Sequence, residues 1–106
     1  MCSSDLALAR ALQRVGAATK AAWSTGNPTE ALANATPYMQ AFGHTVLAWI
    51  WLDLVQSLPD DQSAFKDGKL AAMRYFFHYE LPKIDAWLAV VSSRDLTCAN
   101  LAVDCF

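Results

Sequence analysis

The run Val46-Leu47-Ala48-Trp49-Ile50-Trp51-Leu52 constrains this chain more than any other feature. Seven apolar residues in succession leave no polar side on a helix. A helix that is apolar all round must be covered on more than one side. A chain of 106 residues has few elements of its own with which to do that. The run therefore points to a domain pressed against something larger.

The length fits one domain and buries roughly two-thirds of the unfolded chain's surface by ordinary size scaling. The apolar share of 55% is above the globular norm and the charged share of 17% is below it. Alanine supplies part of the excess and suits close helix packing. Trp and Phe supply another part and suit interfaces. A net charge of -2 gives no electrostatic reason to expect nucleic acid or an anionic membrane as partner. Cys2, Cys98 and Cys105 form no metal spacing and no Cys-x-x-Cys pair, and their odd number argues for a reducing compartment. Residues 1–12 carry an early acid and lack the apolar core of a secretory signal. Residues 41–55 are too short to span a bilayer and contain His44 and Asp53. The expectation is a soluble, cytoplasmic protein with no membrane span. Cys2-Ser3-Ser4-Asp5-Leu6 reads like a translated sequencing adapter, so residues 1–6 are expected to be a sequence scar and residues 7–106 the domain itself.

Leu8, Leu12, Val15, Thr19 and Trp23 recur at helical spacing and predict a first helix over residues 6–24, ended by Gly26. Asn27-Pro28-Thr29-Glu30 restarts a helix: Asn27 caps, Pro28 fits the first position, and Glu30 sits where a capping box wants its acid. Pro37 either kinks this helix or follows Thr36 as the cap of a new one. Tyr38, Phe42, Thr45, Trp49, Leu52 and Gln56 then trace one face, to about Leu58. Pro59-Asp60-Asp61 is a loop. A third long helix begins between Gln62 and Phe65. Its seam is Leu70, Phe77, Ile84 and Val91, with Met73, Leu81 and Leu88 between. The seam runs through Pro82, which predicts a kink there rather than a break. Ser92 and Ser93 mark its end, and the tail forms a short turn with Phe106 docking back. No segment alternates like a strand. The fold class is all-α, an antiparallel three- to four-helix bundle, with Leu12, Val15, Phe42, Val46, Trp49, Phe77, Leu81 and Leu88 in its core.

No constellation of side chains carries chemistry convincingly. His44 and His78 lie on different helices and make no ligand pair, so a metal or acid–base role with Asp53 or Glu80 gives way to ordinary packing or surface positions. Asp53 turns outward at the rim of the apolar run. Lys66, Lys69 and Arg74 could meet a phosphate, but a solvated helix face beside Asp67 is the commoner outcome. Tyr75, Phe76, Phe77 and Tyr79 lack the basic groove that base stacking needs and read as core and interface. Cys98 and Cys105 have no adjacent histidine to activate them. The glycines are isolated, so there is no phosphate loop, and Gly43 in mid-helix suggests a close helix approach. No catalytic or metal-binding residue is assigned.

The stretch from Asn34 through Thr36-Pro37-Tyr38, Phe42-Gly43-His44 and Trp49, with Gly68-Lys69-Leu70-Ala71-Ala72-Met73-Arg74-Tyr75-Phe76-Phe77 and Glu80-Leu81-Pro82, resembles the C-terminal extra helical domain of one branch of the acyl-CoA dehydrogenases. That branch includes the enlarged enzymes and those acting on methylmercaptopropionyl-CoA. The resemblance covers nearly the whole chain after residue 6. It implies a piece of a flavoenzyme that removes a hydride and a proton from the α and β carbons of an acyl-CoA thioester. FAD takes the hydride, a glutamate takes the α-proton, and an electron-transfer flavoprotein takes the electrons. Glu30 and Glu80 are the only glutamates here, and neither matches that base. The resemblance therefore implies a C-terminal accessory and docking domain, inactive alone. FAD would bind the full-length enzyme, in the missing N-terminal dehydrogenase body, and not this fragment. A homo-oligomer is expected. The alternative is a free-standing helical interaction module.

One further expectation concerns the apolar run. Trp49 and Trp51 lie about 200° apart on a helix, so one of them faces outward. Trp49, Ile50 and Trp51 are the candidate docking interface.

Overall fold

The structure is a computed structural model that describes residues 3–60 and 63–105. The described residues are 78% helical and include no strand. Among the described residues five α-helices follow in order: α1 (Ser3–Ala22), α2 (Pro28–Ala31), α3 (Ala35–Gln56), α4 (Ala64–Tyr75) and α5 (Ile84–Ser93). A π-helical turn (Phe76–Glu80) and a 3-10 turn (Leu81–Lys83) join α4 to α5, and a last 3-10 turn spans Val103–Cys105. Cys2, Asp61, Gln62 and Phe106 lie outside the described residues.

The helix limits follow local chemistry. Helix α1 carries Asp5 in its first turn and Lys20 in its last, each suited to the helix dipole. Gly26 then adopts a φ of 71°, a left-handed conformation open to glycine at no steric cost. Asn27 caps α2 as expected: its side chain accepts from the Thr29 N–H at 3.0 Å, with Pro28 in the first turn. The expected capping box does not form. Glu30 turns away from Asn27 and accepts from the Thr25 hydroxyl at 2.6 Å and from Arg94 at 2.7 Å. A cation on α5's far end outcompetes a backbone N–H for that carboxylate.

Pro37 neither kinks α3 nor follows a Thr36 cap. It lies in the first turn, where its missing N–H would have had no partner anyway. The Asn34 amide is instead committed to the Asp95 carbonyl at 2.8 Å. Ser63 caps α4, accepting from the Lys66 N–H at 3.1 Å. The expected kink at Pro82 takes the form of the π-helical and 3-10 turns, which absorb the lost hydrogen bond without breaking the seam. Met73, Phe77, Leu81, Ile84, Leu88 and Val91 are all buried along it. Helix α5 ends at Arg94, in a left-handed conformation with φ 55°.

Helices α1, α3 and α5 pack against one another, and α4 lies along the end of α3. The core of α1 is Leu8, Ala11, Val15, Ala18 and Ala22; that of α3 is Ala41, Thr45, Ala48 and Leu52. Much of this is alanine, so the helices meet closely rather than through large side chains. Half of the expected core is thereby corrected. Val15, Phe77, Leu81 and Leu88 are buried, but Leu12 (58%), Phe42 (44%) and Trp49 (58%) are exposed, and Val46 is half-buried. The expected close approach at Gly43 is also absent within this chain: a Cβ there would meet nothing within 4 Å.

A candidate docking face on the second long helix

Three apolar sides surround α3, and each has a different fate. The first is the core stripe of Ala41, Thr45, Ala48 and Leu52, with Tyr38 and Val55 packed at its ends. The second lies about a quarter-turn away, at Phe42, Val46 and Trp49. Together with Leu12 and Val15 of α1 and with Thr45, these residues line a groove of about 240 Å³. Three of the four residues misplaced as core are on this side of α3, and the fourth, Leu12, is its opposite wall. The third side runs through Gly43, Leu47, Ile50 and Leu54, where all three large side chains are exposed.

The two tryptophans of the apolar run therefore differ. Trp49 faces outward and Trp51 is half-buried against the core. Ile50 is 47% exposed and centres the third side. The candidate interface residues thus do not share one surface: Trp49 belongs to the groove, Ile50 to the outer side, and Trp51 to the packing inside.

The groove is chemically plain. The Thr45 hydroxyl donates to the Ala41 carbonyl at 2.8 Å, so the one polar side chain in the lining is already engaged. An apolar side chain or chain segment suits such a site. A flavin dinucleotide does not, because its pyrophosphate needs backbone N–H groups or cations and the lining supplies neither.

The other singled-out residues fall apart from one another. His44 is half-buried, its ring 4.9 Å from Trp87 and 5.7 Å from Phe76, a packing position between α3, α5 and the π-helical turn. His78 is exposed on an open surface with Arg74 and the stacked rings of Tyr75 and Tyr79, 4.8 Å apart. Asp53 is exposed. Lys66 pairs with Asp60 at 3.7 Å, and Lys69 lies over the Phe65 ring at 5.2 Å. Cys98 and Cys105 are exposed free thiols. Among the described residues no three metal-ligating side chains gather, and no helix is long and apolar enough to cross a membrane.

Ionisable groups act as ties between elements. Arg14 of α1 pairs with Asp85 of α5 at the surface. Arg94 reaches Glu30 and, at 3.2 Å, Thr25, which fastens the end of α5 to α2 and to the loop before it. The Thr25 hydroxyl, and then Arg94, hold the Glu30 carboxyl below its ordinary range. Lys83 does the same for Glu80, whose carboxylate in turn raises the Lys83 ammonium. Sequence spacing did not reveal the tie between Glu30 and Arg94, because the partners are 64 residues apart.

A family model described as acetyl-CoA dehydrogenase C-terminal like matches residues 6–102. No curated protein and no solved structure matches the chain.

Proposed function

Because the chain belongs to the acetyl-CoA dehydrogenase C-terminal-like family, we propose that it serves as the accessory helical domain of an FAD-dependent acyl-CoA dehydrogenase. The match over residues 6–102 carries this reading. The flavin, the glutamate base and the contacts to the thioester belong to the catalytic body, as does the transfer of electrons to an electron-transfer flavoprotein. The flavin supplies the hydride acceptor there. This domain supplies a preformed helical surface.

Its docking residues are read from Trp49, Ile50 and Trp51. Ile50, with Leu47 and Leu54, lies on a side of α3 where the large apolar side chains are all exposed. Gly43, one turn before Leu47, leaves room for a backbone to come close. Trp49 flanks this surface, and Trp51 supports it from behind by packing on the core. Contiguous apolar surface of this kind commonly marks a protein contact.

The test is binding in trans. The chain is titrated against the catalytic body encoded upstream of it, with heat or fluorescence polarisation as the readout. Saturable binding that Ile50→Glu weakens by about 30-fold or more supports the reading, as expected of a central interface side chain. Absence of a flavin-binding body from the same reading frame would sink it and favour the free-standing interaction module.

A further inference from the structure

We propose that the cleft between α1 and the joint of α4 with α5 is a binding site for a small aliphatic carboxylate. The cleft has a volume of about 170 Å³. Clefts for drug-sized ligands start at roughly 300 Å³, so the occupant is a smaller molecule.

Two cations stand on one wall. Arg10 and Arg14 of α1 both line the cleft, about one helical turn apart. Like charges at that spacing repel, and an anion set between them relieves the repulsion. Arg14 pairs with Asp85, the one carboxylate in the lining. Both partners are more than half exposed, so the pair is weak and open to competition. Arg10 has no ion pair or hydrogen bond among the described residues. The lining therefore carries two positive charges and one negative. Each guanidinium presents a planar fork of N–H donors that matches the two oxygens of a carboxylate.

The floor specifies the rest of the ligand. The π-helical turn supplies Phe77, and the 3-10 turn supplies Leu81 and Pro82. Single π-helical turns occur frequently at functional sites. Phe77 and Leu81 are buried and offer only carbon. Pro82 has no N–H to donate. No hydroxyl, amide or imidazole side chain stands in the lining. A sugar or a nucleobase would give up hydrogen bonds to water there and gain none from these side chains beyond the charged ones. A hydrocarbon tail gives up nothing and is removed from water. At roughly 30 Å³ for each water-sized group, the space fits about six such groups, the size of a four- to six-carbon acid. The head then lies on Arg10 and Arg14 and the tail on Phe77 and Leu81.

This site is remote from Ile50 on α3 in its lining and does not depend on the dehydrogenase body. The test is a nitrogen–proton correlation NMR titration of the whole chain with sodium hexanoate at fixed ionic strength. The signals followed are the Arg10 and Arg14 side-chain Nε–H groups and the Phe77 and Leu81 amides. Saturable shifts are expected there, with a Kd on the order of 1 mM for a ligand of about eight non-hydrogen atoms. Arg10→Gln should weaken binding by about 10-fold or more, the usual loss of a charge-assisted hydrogen bond. Asp85→Asn should strengthen it by about 2- to 5-fold, because it frees Arg14 from an exposed pair. Far-ultraviolet circular dichroism of both variants should match the parent, since both side chains are exposed. Hexanamide keeps the tail without the charge, and inorganic phosphate keeps charge without the tail. Each should bind at least about 10-fold more weakly than hexanoate. Either one binding as tightly as hexanoate overturns the proposal. Asp85→Asn that binds no better overturns the two-arginine clamp. Absence of saturable shifts well above that concentration, or hexanoate binding untouched by Arg10→Gln, overturns the site itself.

Discussion

Single residues separate the two kinds of apolar position in this chain. Phe77 is 8% exposed at the joint between α4 and α5. Phe77→Ala should cost about 3–5 kcal/mol, the usual range for emptying a buried aromatic site. Urea denaturation reads this directly, and a change below about 1 kcal/mol would mean that the seam does not hold the fold. Glu30 offers a second check at this scale. Its folded carboxyl titrates lower than its ordinary value, chiefly through Thr25 and then Arg94. A lowered carboxyl stabilises the fold above the unfolded pKa, and that contribution fades as pH falls through the folded one. Stability of the parent should therefore decline more on acidification from the ordinary carboxylate range than stability of Glu30→Gln. An NMR titration of Glu30 should also move back toward the ordinary value in Thr25→Val. Parallel pH curves for parent and Glu30→Gln would show that the tie carries no free energy.

At the scale of elements, the helices were legible because caps, proline and a heptad-like seam all leave marks in sequence. Asn27, Gly26 and the stripe from Met73 to Val91 behave as their chemistry dictates. The orientation of α1 and α3 was not legible in the same way. A stripe drawn through the largest side chains ran through Leu12, Phe42 and Trp49. The helices instead meet on Ala11, Ala18, Ala41 and Ala48. Small residues let the backbones approach, and close approach turns the large side chains outward. The run from Val46 to Leu52 announced that more than one side of α3 is apolar, but not which tryptophan points out. Gly43 belongs to the same lesson: its neighbourhood within the chain is empty. Gly43→Ala should accordingly stabilise the isolated chain by about 0.5–1 kcal/mol through helix propensity. Thermal denaturation that shows Gly43→Ala to be destabilising would mean that the isolated chain already packs closely at that position.

The whole molecule is thin, elongated and apolar on sides that it cannot cover alone. Exposed apolar surface of this kind suits a domain that docks on a partner. Its ion pairs do not alter this balance. Arg14 and Asp85 are both more than half exposed, and a pair of that kind contributes at most about 1 kcal/mol. Asp85→Asn should change stability by no more than that, as measured in the same denaturation series. The central claim, that this chain is the accessory domain of a flavin-dependent dehydrogenase, is tested most directly by acyl-CoA-dependent bleaching of flavin absorbance. The measurement is made on the product of the uninterrupted reading frame and on the chain alone. The account predicts bound flavin that bleaches with an acyl-CoA in the former, and neither flavin nor bleaching in the latter. Flavin reduction by the isolated chain, or a whole gene product that binds no flavin, would contradict it.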